Sequence, residues 1–67
     1  MKESTVKLKS HMYKNMILNK DCAEQLGVST NTFKTKLDDP ERFTVADIQS
    51  LNKVLELELD EIVDIFF

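Results

Sequence analysis

Apolar residues recur along this chain in short helical stretches, each closed by a polar or glycine-bearing break. From about Ser4 to Ile17, Val6, Tyr13 and Ile17 form one stripe and Leu8, Met12 and Met16 the stripe beside it, which predicts an amphipathic helix with Ser4 or Thr5 as its cap. Leu18 and Asn19 interrupt the pattern. Asn19 is a good N-cap for a second short helix that turns Cys22, Ala23 and Leu26 inward and stops at Gly27, the one glycine of the chain, as the left-handed residue ending a helix.

A third helix is predicted two residues later. Ser29 can cap it, and Val28 and Phe33 have the spacing of a hydrophobic staple. Phe33 and Leu37 form its buried seam, which places Asn31 and Thr35 on the other side with Lys34 beside them. Asp39-Pro40 reads as a capped turn, because proline can open a helix but cannot continue the preceding one. Thr44 and Asp47 make a capping box, Phe43 and Ile48 repeat the staple, and Ile48, Leu51, Val54 and Leu55 give a fourth helix its apolar face. After Glu56, Leu57 and Glu58, a last helix begins at about Leu59 with Ile62, Val63, Phe66 and Phe67 as apolar positions. The expectation is an all-α fold of five short helices, without linker or repeat.

Composition agrees with that reading and narrows it. At 67 residues the chain is a single domain, residues 1–67, and a chain this short buries only about 60% of the surface its unfolded form exposes. With 42% hydrophobic and 31% charged residues it is globular, and no apolar run approaches the roughly 20 residues of a membrane helix. Neither a signal peptide nor a membrane span is expected, so the location expected is cytoplasmic. Cys22 has no second cysteine to pair with and reads as a small buried hydrophobe; His11 reads as a surface residue, and no metal or cofactor is expected. Glu56, Glu58, Asp60 and Glu61 lack an accompanying base or metal ligand and read as solubilising acids, so an enzyme is not expected.

The net charge of -3 argues at first against a nucleic-acid partner. Its distribution reverses the argument: residues 1–36 hold seven lysines against three acids, a net +4, whereas residues 37–67 hold two basic and nine acidic side chains, a net -7. The predicted third helix lies in the basic half.

Two short helices joined by a tight glycine turn form a helix-turn-helix, here at about residues 19–37. The run Leu18-Asn19-Lys20-Asp21-Cys22-Ala23-Glu24-Gln25-Leu26-Gly27-Val28-Ser29 resembles the helix-turn-helix of the phage repressor and Cro type, the Xre-like family, in its short prophage-encoded form. Ala23, Leu26, Gly27 and Val28 stand where that family has its small residue for close helix approach, a core apolar residue, the turn glycine and the apolar residue after it. The likeness continues through Phe33, Leu37, Phe43-Thr44 and the Leu57 to Ile62 stretch. The chain departs from the family at Lys36, where an apolar residue is common, and at Glu56, where glycine is common.

The resemblance implies a lambda-repressor-like domain whose third helix, residues 30–37, enters the major groove of an operator, and hence a transcriptional regulator, a repressor or Cro-like protein of a bacterial or phage-infected cell. Thr30, Asn31, Lys34 and Thr35 would then face base edges; asparagine suits adenine, threonine a hydroxyl or methyl contact, and lysine a guanine edge or a phosphate. Asn19, Lys20, Lys36 and Arg42 would hold phosphates, with Lys2, Lys7, Lys9 and Lys14 adding diffuse potential. Ile62, Phe66 and Phe67 would either pack back on the first helix or join two copies in a homodimer. The rival reading is a protein-interaction module that keeps the fold and docks a repressor or polymerase partner on its acidic C-terminal half.

Overall fold

The computed structural model describes residues 2–67; Met1 lies outside them. The described residues form five α-helices: α1 (Glu3–Lys14), α2 (Asn19–Leu26), α3 (Thr30–Leu37), α4 (Val45–Leu55) and α5 (Leu59–Phe66), with a 3-10 turn at Pro40–Arg42. The all-α expectation therefore holds, element by element and in order.

The helix starts follow local chemistry. Ser29 caps α3 by accepting the Thr32 N–H at 3.2 Å. Thr44 and Asp47 exchange both bonds of a capping box at 3.1 Å each, opening α4. The second start differs from expectation: Asn19 is the first residue inside α2, and Leu18 is the N-cap, its N–H held by the Asp21 carboxylate at 3.1 Å. Asp39 does not cap the 3-10 turn, since its carboxylate accepts instead from Lys2 Nζ at 2.6 Å.

Three helices end in a left-handed residue, and the chain has glycine for only one of them. Gly27 (φ 70°) closes α2, where the Val28 N–H reaches the Ala23 carbonyl and the Gly27 N–H that of Glu24. Met16 (φ 58°) closes α1 with the same pair of bonds, Ile17 to Met12 and Met16 to Tyr13. Glu56 (φ 52°) closes α4, and there the Asn52 side chain does further work: Oδ1 accepts the Leu57 N–H at 2.7 Å and Nδ2 donates to the Leu57 carbonyl at 3.3 Å.

Leu8, Met12, Phe33, Leu37, Leu51 and Leu55 form the centre of the core, with Cys22 and Ala23 of α2 buried beside them. Phe33, Phe43 and Phe66 form a chain of ring contacts with centroids 6.1 and 6.0 Å apart, the second edge to face. Two stripes differ from the sequence reading. On α1 the buried positions Thr5, Leu8 and Met12 share one face, whereas Val6 and Tyr13 lie on a face turned outward and Met16 falls beyond the helix end at Lys14, so all three are exposed. Thr5 is thus a core residue rather than a cap. On α5 Ile65 is the buried side chain, Ile62 and Phe66 pack partly against the core, and Val63 and Phe67 face outward.

α1 and α5 run antiparallel, fixed by Lys7 on Asp64 at 2.9 Å and His11 near Glu61 at 3.9 Å. His11 is partly buried rather than a surface residue: its Nε2 lies 2.7 Å from the Leu55 carbonyl at the end of α4. α2 lies against both α3 and α4, and that support leaves the outer side of α3 free. No helix is long and apolar enough to cross a membrane.

Candidate functional site

The α2–α3 unit is held by its own short-range chemistry. Ala23, nearly fully buried, lets the backbones approach; Gly27 turns the chain; Ser29 starts α3 two residues later. Phe33 and Leu37 then anchor α3 inward, at positions four apart on one face. At 100° per residue the opposite face carries Asn31, Thr32 and Thr35, with Lys34 at its margin, and all four are exposed.

The positions expected to read bases are not equivalent. Asn31 and Lys34 project freely. Thr35 is exposed, but its hydroxyl donates to the Asn31 carbonyl one turn back at 3.0 Å, which leaves its methyl group and oxygen lone pairs for an outside partner. Thr30 is half-buried on the side of α3 nearer the Phe33–Leu37 seam. Thr32, absent from the expected set, is exposed beside Asn31, its hydroxyl accepting from Ser29 Oγ at 3.0 Å. A helical wheel drawn from the Phe33–Leu37 seam is enough to find it, because Thr32 lies about 100° from Asn31 on the outer side.

The expected phosphate positions divide in the same way. Lys20 and Arg42 are exposed and, among the described residues, have no carboxylate within 4.0 Å; the same holds for Lys34. Lys36 is committed within the fold, reaching across to the Asp47 carboxylate at 3.4 Å. Asn19 is half-buried at the first position of α2, where its N–H and that of Lys20 belong to the set a helix cannot pair internally. Of the lysines expected to add diffuse potential, Lys2 and Lys7 are ion-paired, to Asp39 and Asp64, whereas Lys9 and Lys14 have no such partner among the described residues.

The titratable groups nearby are structural. Burial, reinforced by the neighbouring Asp21 charge, pushes the Cys22 thiol up to about 11, so it is protonated near neutral pH and not a nucleophile there. The Thr44 N–H, assisted by Lys36, holds the Asp47 carboxyl below its usual range. Among the described residues no three His, Cys, Asp or Glu side chains come together as a metal-binding group.

The site is therefore a helix with a polar outer face and, among the described residues, cations without carboxylate partners at its edge. Such a surface offers hydrogen bonds and positive charge to a flat or grooved partner. No family model, curated protein or solved structure matches this chain.

Proposed function

We propose that this protein is a sequence-specific double-stranded DNA-binding regulator of transcription that lays α3 in the major groove of an operator and represses by occupying it, in the manner of the phage repressor and Cro proteins its α2–α3 segment resembles. One observation carries the reading: the outer face of α3 presents Asn31, Thr32, Lys34 and Thr35 together, exposed, on a helix anchored from behind by Phe33 and Leu37. Asparagine and threonine on a protruding helix match the donor and acceptor edges that distinguish base pairs in the major groove. Lys20 and Arg42, without carboxylate partners among the described residues, supply the phosphate contacts that fix register, together with the α2 N-terminal amides. Lys36 contributes to the fold in this scheme and not to the contact.

The test is selection of bound sites from random duplex DNA, followed by affinity measurements on the selected site between about 50 and 200 mM salt. A shared sequence should emerge, and affinity should fall steeply with salt. A pool that yields no enriched sequence, or binding indifferent to salt, overturns the reading.

A further inference from the structure

Two exposed apolar patches remain that the α3 face does not use. The first runs along the outer side of α5, where Leu59, Val63 and Phe67 are 77%, 51% and 79% exposed at successive four-residue steps. The second lies where α1 ends: Tyr13, Met16 and Leu18 are 89%, 87% and 55% exposed and, with Ile17, line a shallow apolar depression. Scattered apolar side chains on a surface need no explanation, but two contiguous groups on so small a molecule do.

Their surrounding charges are opposite. The α5 stripe is bordered by Asp60 and Asp64 one helical step round, with Glu56 and Glu58 just before it, and of these only Asp64 has a cation within 4.0 Å among the described residues. The Tyr13 patch is bordered by Lys14 and, one turn back on the same face, Lys9, neither with a carboxylate within that distance among the described residues; the acid beside it, Asp21, has its carboxylate engaged by the Leu18 N–H. Two α5 stripes placed face to face would bring like charges together, whereas an α5 stripe on a Tyr13 patch brings carboxylates to lysines. The two patches of one molecule cannot meet, because α5 lies against the Lys7–His11 side of α1 and Tyr13 points about 160° away from His11.

We infer that a second copy of this chain occupies each patch, the α5 stripe of one molecule docking on the Tyr13–Met16–Leu18 patch of the next. Such a contact is head to tail: each molecule added leaves one patch of each kind open, so association continues past the dimer, as a filament or until the rotation between neighbours closes a ring. With a few side chains on each side the contact is small and weak, at the low end of specific interfaces. It does not depend on DNA binding.

Sedimentation equilibrium of the DNA-free protein up to about 1 mM and at low salt tests the inference. The weight-average mass should climb beyond twice the 7.8 kDa chain with no plateau at that value. Tyr13→Glu and Val63→Lys should each remain monomeric, with Leu59→Lys replacing the latter if circular dichroism shows that it does not fold. Mixed in equal amounts, the two variants should form a species that stops at the dimer, since only one intact interface can be assembled. A wild-type protein that stays monomeric, a plateau at the dimer that Tyr13→Glu leaves unchanged, or a mixture that fails to recover association overturns the inference.

Discussion

The Thr5 hydroxyl donates a 2.8 Å hydrogen bond to the carbonyl of Leu37, joining the first turn of α1 to the last residue of α3 across 32 positions of sequence. Both residues are buried, and the Leu37 carbonyl is one of the four that a helix C-terminus leaves unpaired. The bond thus fixes the far end of α3 while Ser29 fixes the near one. Thr5→Val keeps the shape and removes the donor, leaving a buried carbonyl without a partner, and should lower stability by about 1–3 kcal/mol in urea unfolding. Thr5→Ser retains the hydroxyl and should lose less than Thr5→Val.

Two of the three left-handed helix ends make predictions of opposite sign. Gly27→Ala places a Cβ in open space, with nothing within 4 Å, so its cost is the backbone conformation alone, about 1 kcal/mol. Glu56→Gly relieves the same strain at φ 52° and should gain up to about 1 kcal/mol, less whatever the freer unfolded chain takes back. Because the Asn52 side chain clamps Leu57 whatever stands at Glu56, the gain should appear without rearrangement. Thermal unfolding should separate the two variants by several degrees, about 4–8 °C for each kcal/mol in a domain of this size.

These ends also mark how far the sequence could be read. Contacts confined to three or four residues were legible: the Ser29 cap, the Thr44–Asp47 box, the glycine stop and the Phe33–Leu37 seam all have chemistry visible at fixed spacing. Met16 carries no such mark and Glu56 is marked only by the glycine common there in the resembled family, since a long or acidic side chain in a left-handed turn is tolerated because the surrounding fold holds it there. The places of Thr5, His11 and Ile65 are not legible locally, because their partners, Leu37, Leu55 and the α1–α5 packing, lie far away in sequence. The outer face of α3 followed from its seam, but the division of lysines into paired and unpaired did not. Lys36 and Asp47 are eleven residues apart on different helices, and nothing in the local pattern distinguishes Lys36 from Lys34.

Asp47 contributes to the behaviour in acid. Asp47 titrates below its ordinary value because the ionised carboxylate accepts from the Thr44 N–H and lies beside Lys36. A carboxyl whose folded value is lowered contributes stability above its unfolded value of about 3.9 and loses it as pH falls through the folded one. Urea midpoints measured between pH 7 and about pH 2 should therefore drop below about pH 4. Asp47→Asn should be less stable than wild type at neutral pH and show a smaller acid drop. Lys36→Met should reduce the drop less than Asp47→Asn, since the Thr44 bond is the leading cause. A wild-type midpoint flat across that range would contradict the assignment.

Asn31 and Lys20 separate the reading of a sequence from the holding of a backbone. Asn31 is exposed and its side chain makes no hydrogen bond among the described residues, so Asn31→Ala should leave stability unchanged or slightly raised, alanine being the better helix former. If Asn31 pairs with an adenine, the same change should cost about 1–3 kcal/mol on the selected site and relax preference at one base pair. Lys20→Ala removes a charge from the edge of the face and should weaken selected and unrelated duplexes alike, while lowering the salt slope by about one. Lys36→Ala provides the contrast: its ammonium is already engaged by Asp47, so acid stability should change while the salt slope stays near the wild-type value. Fluorescence anisotropy on the selected site and on a scrambled duplex, at four salt concentrations, distinguishes all three. Equal losses for Asn31→Ala on both duplexes would remove it from base reading, and a slope lowered by Lys36→Ala as much as by Lys20→Ala would place Lys36 back at the phosphates.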